Sequence, residues 1–123
     1  MIDVRSQTIF LDEDGIVHAT LKPMVELTLA DAEEAVEAIR TLSGERRRPV
    51  LVDLRKAKGM SREARVFFSG PVTATVESAA GLVVTSPLTR MIANFFMGLN
   101  KPLFPTRMFD TEEDAMAGLR TFV

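Results

Sequence analysis

The chain predicts an α/β fold: a mixed, mostly parallel β-sheet with an N-terminal β-hairpin, packed with helices in the order β-β-α-β-α-β-α-β-α. Three observations carry this. Arg5 to Leu11 and Ile16 to Leu21 are two apolar-rich runs joined by Asp12-Glu13-Asp14-Gly15, an acidic turn closed by Gly, which reads as a hairpin. Val50-Leu51-Val52 is a short apolar, β-branched run of the kind buried on both faces of a sheet. From there on, strands alternate with capped helices. That alternation calls for right-handed crossovers and parallel pairing, with the hairpin adding an antiparallel edge strand.

Taken in order, Val17, Ala19 and Leu21 of the second strand face one side of the sheet and Ile16, His18 and Thr20 the other. Thr28-Leu29-Ala30-Asp31 opens the first helix with a Thr cap and an acid three residues on. Leu29, Ala32, Val36, Ile39 and Leu42 recur at helical spacing as its core face, and Gly44 stops it. The central strand runs from Pro49 and ends at Asp53. A basic loop with Gly59 follows, and Ser61 caps the next helix, with Glu63 suited to its positive end. That helix runs through Ala64, Phe67 and Phe68 and breaks at Ser69-Gly70-Pro71, because Pro has no N–H to continue it. A turn or two over Val72 to Glu77 leads to a strand at Gly81 to Val84. Ser86 and Pro87 then start a helix that reaches about Leu99, with Leu88, Met91, Ile92, Phe95, Phe96 and Leu99 as its inward stripe. Pro105 to Phe109 is the last strand. Asp110, with Glu113, caps a final helix whose Ala115, Met116, Leu119 and Phe122 face inward.

Composition bounds the function. With 123 residues, 46% of them hydrophobic and 26% charged, the chain suits one globular domain over residues 1–123. A net charge of −2 gives no reason to expect nucleic acid or an anionic membrane as a partner. No Cys is present, so a disulfide, a thiolate nucleophile and a cysteine-bound metal are all excluded. His18 stands alone, without a visible Ser or Cys dyad, and reads as a strand His filling a polar gap. The acidic start lacks the form of a signal peptide, and no apolar run approaches the ~20 residues of a membrane span. A cytoplasmic location is expected. Glu33, Glu34 and Glu37 form a solvated helix face rather than an acid/base pair. Arg46-Arg47-Arg48 precedes the central strand while Lys56, Lys58, Arg62 and Arg65 follow it. About five strand residues at ~3.3 Å each hold these two basic groups at opposite edges, so they form no continuous phosphate-binding stripe.

The strand ending Val52-Asp53-Leu54, the loop to Met60 and the helix start after it resemble the STAS, or SpoIIAA-like, fold of anti-sigma-factor antagonists and the related CRAL-TRIO lipid-transfer fold. A group of uncharacterised bacterial proteins of this length is also similar. It matches at Asp53-Leu54-Arg55, at Met60 to Arg65, at Asn94 to Pro102 and at Pro105-Thr106-Arg107. In STAS antagonists an Asp-Ser pair opens the helix after the central strand, and the Ser is the regulatory phosphoacceptor. Laid on that pattern, Ser61 takes the Asp position and Arg62 the Ser position. Ser61 is therefore read as a helix cap, with an acceptor role as the alternative.

The resemblance implies a non-catalytic STAS-like regulatory or protein-interaction domain with no cofactor and no metal. The alternative is a small-ligand binder, for an apolar or anionic molecule, at the carboxyl edge of the sheet. Its candidate residues are Asp53, Lys56, Lys58, Ser61, Arg62 and Ser86, since two helix N-termini are expected at that one edge. No phosphate loop, dinucleotide fingerprint or nucleophile elbow is present to support an enzyme. The helix from Pro87 to Leu99 is apolar nearly all round, which suggests a homodimer contact at Phe96 and Met97.

Overall fold

The computed structural model describes residues 1–123, apart from the side chains of Phe95, Leu99 and Asn100. Strands β1 (Ile2–Asp3), β2 (Gln7–Leu11) and β3 (Val17–Leu21) form an antiparallel meander. The turn between β2 and β3 works through Asp12. Its carboxylate accepts from the N–H groups of Asp14 (2.8 Å) and Ile16 (3.0 Å). Gly15 supplies the positive φ of 90° that the tight return needs. Beyond β3 the sheet becomes parallel, through β5 (Arg48–Asp53), β7 (Glu77–Val83) and β8 (Thr106–Phe109), in the order β1-β2-β3-β5-β7-β8. A separate two-stranded parallel ladder pairs β4 (Glu26–Leu27) with β6 (Gly59–Met60). The mixed sheet with parallel crossovers is as expected. The strand β1 and the small β4–β6 ladder are additions, two-residue elements too short to carry a periodic signal.

Helices α1 (Leu29–Ser43), α2 (Arg62–Ser69) and α4 (Pro87–Asn100) cover one face of the sheet. Val17, Val50 and Ala19 meet Ala35, Val36 and Ile39 there, and Leu21, Leu54 and Leu82 meet Ala64, Ala93 and Phe96. Helix α5 (Glu112–Leu119) covers the other face, where Leu51, Ala79 and Val83 pack on Ala115 and Leu119. Thus β5 is apolar on both sides, with Val50 and Leu51 both buried. A single turn, α3 (Pro71–Ala74), follows α2 across the expected break at Gly70-Pro71. A short 3-10 turn (Arg120–Phe122) ends the chain.

Local signals place most helix starts. Thr28 and Asp31 form a capping box, Ser61 accepts from the Ala64 N–H, and Ser86 forms a box with Thr89. Five expectations are corrected. Strand β7 begins at Glu77, four residues before the expected start, because pairing with β5 and β8 overrides the weak strand preference of Ser78-Ala79-Ala80. The cap of α5 is Thr111, whose hydroxyl accepts from the Asp114 N–H at 3.1 Å, while Asp110 pairs with Arg90. Phe122, expected inward, is exposed in the terminal turn, and Leu29 is exposed at the start of α1. Helix α4 is rotated by about one position from the expected face. Thr89, Ile92, Ala93 and Phe96 are buried, whereas Leu88 and Met91 are exposed; Phe95 and Leu99 of the expected stripe lie outside the described residues. Thr89 can be buried because its hydroxyl is satisfied within the cap, accepting from the N–H groups of Thr85 and Ser86.

Candidate functional site at the carboxyl edge of the sheet

The register Thr20↔Asp53↔Val83 sets the ends of β3, β5 and β7 side by side. The loops after these three strands therefore emerge together, at the edge where open α/β sheets present their binding residues.

Asp53 ends β5 and is half-buried. It accepts from the Arg55 backbone N–H (3.0 Å) and from that residue's Nε (2.9 Å) and Nη2 (2.7 Å). Burial works against its ionisation, but the bonds from Arg55 outweigh it and leave the carboxyl below its ordinary range. The loop is anchored behind Asp53 by buried Leu54 and Ala57. Its next stretch is stitched to the loop after β3. The N–H groups of Lys58 (2.9 Å) and Gly59 (3.3 Å) donate to the Val25 carbonyl, and the Met24 N–H donates to the Lys56 carbonyl at 2.8 Å. Met24 consequently sits at φ 61°, unusual for a residue with a side chain, and is 69% exposed. The Lys58 ammonium lies 3.7 Å from Glu26.

The β4–β6 ladder then delivers Ser61, whose N–H donates to the Leu27 carbonyl at 2.8 Å. Its hydroxyl accepts from the Ala64 N–H at 3.1 Å, so Ser61 is a cap, and Arg62 beside it is exposed. Under the same ladder, buried Asp31 serves two elements. It completes the α1 cap with Thr28 and pairs with Arg5, which also donates to the Glu26 carbonyl. The bond from Arg5 holds the Asp31 carboxyl down at about 2. The sequence marked Asp31 only as a capping acid, since its partner lies 26 residues away. Ser86, at the end of the neighbouring strand, spends its hydroxyl on Thr89.

The structure thus gathers Asp53, Lys56, Lys58, Ser61, Arg62 and Ser86 along one edge, but Asp53 and Lys58 are in ion pairs, Ser61 and Ser86 are caps, and Lys56 and Arg62 are exposed, so they do not converge on one point. The interface candidates part company. Phe96 is buried in this chain's own core, and Met97 is half-buried against the same cluster. His18 lies on the α5 face. Its Nε2 is 2.7 Å from Asp12, its ring stacks on Phe10 at 4.5 Å, and its Nδ1 is 3.7 Å from Glu112. It fills a polar gap beside the hairpin. Among the described residues no group of three metal-binding side chains occurs, and no helix is long and apolar enough to cross a membrane.

A family model described as Domain of unknown function (DUF7793) matches residues 9–123. The chain belongs to this family. The match to DUF7793 takes in the end of β2 and every element from β3 onward, including all the loops of the carboxyl edge. Solved structures establish the fold class. An uncharacterised protein of the DUF3478 family with a SpoIIAA-like fold, from Shewanella loihica PV-4, is 16% identical with a TM-score of 0.61, covering 97% of this chain and 98% of that one. An anti-sigma factor antagonist from Mycobacterium paratuberculosis is 19% identical with a TM-score of 0.63, covering 94% and 93%. The anti-sigma factor antagonist SpoIIAA in its unphosphorylated form is 18% identical with a TM-score of 0.57, covering 94% and 98%. The fold of this DUF7793 chain is therefore SpoIIAA-like, of the STAS type. No curated protein matches the sequence.

Proposed function

We propose that the chain is a non-catalytic regulatory domain, acting in the cytoplasm, that binds a protein partner through the carboxyl edge of its sheet. The observation that carries this is the exposed rim of that edge. Met24 is fixed outward in a left-handed conformation, Leu88 is 44% exposed at the start of α4, and Lys56 and Arg62 are exposed between them in chain order along the loops. A hydrogen bond already fixes the Met24 backbone, so binding there has only the side chain left to order, which suits a contact surface. The polar groups behind the rim are spent inside the chain, which leaves a surface rather than a cradle for an anion. The two neighbours described as anti-sigma factor antagonists share this fold, and that supports a regulatory role.

The test is affinity capture from the native host with wild type and a Met24→Glu/Arg62→Glu double variant, read by quantitative mass spectrometry. A protein retained in stoichiometric amount by wild type and lost from a folded variant is the expected result; equal retention by both would remove the edge from the proposal. A homodimer through α4 is a second reading, favoured by the exposure of Leu88 and Met91 beside half-buried Met97. Sedimentation at micromolar concentration decides it, since a wild-type monomer, or a Met97→Glu protein that dimerises normally, excludes that contact.

A further inference from the structure

The face of the sheet under α1, α2 and α4 is not fully filled. Val52 is the middle of the covered strand row, with Ala19 and Leu82 opposite it in register, yet it is only half-buried. The space above it is a cavity of about 50 Å³. Its described walls are apolar, among them Val50, Val52, Met60, Phe68, Ile92 and Phe96. Two polar side chains interrupt them. Gln7 is occupied in part, donating to the Ser6 hydroxyl at 3.1 Å. Glu77 is the other, 4% exposed, and among the described residues its carboxyl makes no hydrogen bond or ion pair.

A buried carboxyl with no partner is costly, and most such groups in folded proteins have one. The neighbouring cations do not supply it. Arg47 donates to the backbone carbonyl of Glu77 at 2.9 Å. The Arg48 guanidinium reaches toward Gly15, where an added Cβ would be 3.2 Å from its Nη1, and makes no ion pair with Glu77. We propose that the cavity is a binding site for a small, neutral, largely apolar molecule with one hydroxyl-like group, which it presents to the Glu77 carboxyl. The size is far below the ~300 Å³ at which pockets for drug-sized ligands begin, so the occupant is about one ring or a short chain. The charge of the wall selects further. Glu77 is the only ionisable side chain in the described lining and no cation stands beside it, so a charged ligand would be buried uncompensated. A neutral carboxyl both donates and accepts, which matches a hydroxyl without burying a charge.

Phenol, toluene and benzoate are suitable probes, with the binding read by methyl NMR of Met60 and Ile92 at pH 7. Saturable shifts confined to these and other wall methyls are expected with phenol, at least fivefold weaker binding with toluene, and none with benzoate. Glu77→Leu should abolish or reverse the preference for phenol over toluene, and Ala80→Leu, which fills the cavity from the sheet, should abolish both. The proposal is overturned if phenol gives no saturable shift up to 10 mM (about the upper end of weak fragment binding). It is equally overturned if wild type binds phenol and toluene alike, or if Glu77→Leu keeps the wild-type ratio.

Discussion

The two faces of the sheet are packed in opposite ways. On the α5 face the backbones come so close that side chains have been removed. A Cβ on Gly118 would lie 2.8 Å from the Phe109 ring, and one on Gly81 would lie 3.2 Å from Leu119. On the other face three helices span the same sheet and leave a cavity with a carboxyl in its wall. One helix can settle onto a sheet until it touches. Three helices must also satisfy their contacts with one another, and the space between them is what remains. The tight face is therefore specified by glycines, and the loose face tolerates a polar group that close packing would expel.

The largest effect is expected at Glu77. Burial alone pushes its carboxyl up from 4.5 to about 8. Below pH 4.5 both folded and unfolded chains hold the proton, and the ionisation of the group adds no cost. Between pH 4.5 and about 8 the unfolded chain loses the proton that the folded chain keeps, so stability falls as pH rises, levelling above that range. Glu77→Gln should accordingly gain on the order of 3 kcal/mol at pH 7 and flatten the dependence. Urea melts from pH 4 to 9 (about the titration range) measure it; a variant that matches wild type at every pH would refute the buried-carboxyl account.

Adjacent residues of β7 sharpen the contrast, since Gly81 faces α5 and Ala80 lines the cavity. Gly81→Val should destabilise by about 2 kcal/mol through overpacking against Leu119 and Phe109, whereas Ala80→Val should cost less than about 0.5 kcal/mol. Equal costs in thermal melts would show that the two faces do not differ. At the carboxyl edge, Ser61→Ala should lose about 1 kcal/mol as a cap is removed, and Ser61→Asp should be tolerated because Asp also caps and suits the helix dipole. If Ser61→Asp instead changes partner capture at unchanged stability, Ser61 acts as a switch. The smallest effect belongs to Asp53→Asn. Its partner Arg55 is 40% exposed, and so the loss should stay below about 1 kcal/mol and shrink further in salt. A loss of several kcal/mol would mean that Asp53 organises the loop far beyond its ion pair.

Much of the carboxyl edge was legible because its causes are local. Ser61 with Ala64, Ser86 with Thr89, and Asp53 with Arg55 each lie within three residues of one another. The bonds that tie them into one surface were not legible. Met24 to Lys56, Ser61 to Leu27 and Arg5 to Asp31 join residues far apart in the chain, and no pattern within a single segment encodes them.

The sequence by itself determined the alternation of strands and helices, the hairpin turn, the break at Gly70-Pro71 and three of the helix caps. Each depends on residues a few positions apart, whose backbone hydrogen bonds and φ preferences act before any long-range contact forms. Only the tertiary structure decided which face of α4 turned inward, where β7 began and whether Glu77 had a partner. Burial is a property of what packs on top of a residue. Thr89 went inside because its hydroxyl was already bonded, and Leu88 stayed outside although it is the more apolar. Glu77 looks in the sequence like an ordinary surface acid at the end of a helical turn. It becomes a buried, uncompensated carboxyl because β7 extends back to include it and sets it in the cavity wall, where among the described residues no donor stands beside it.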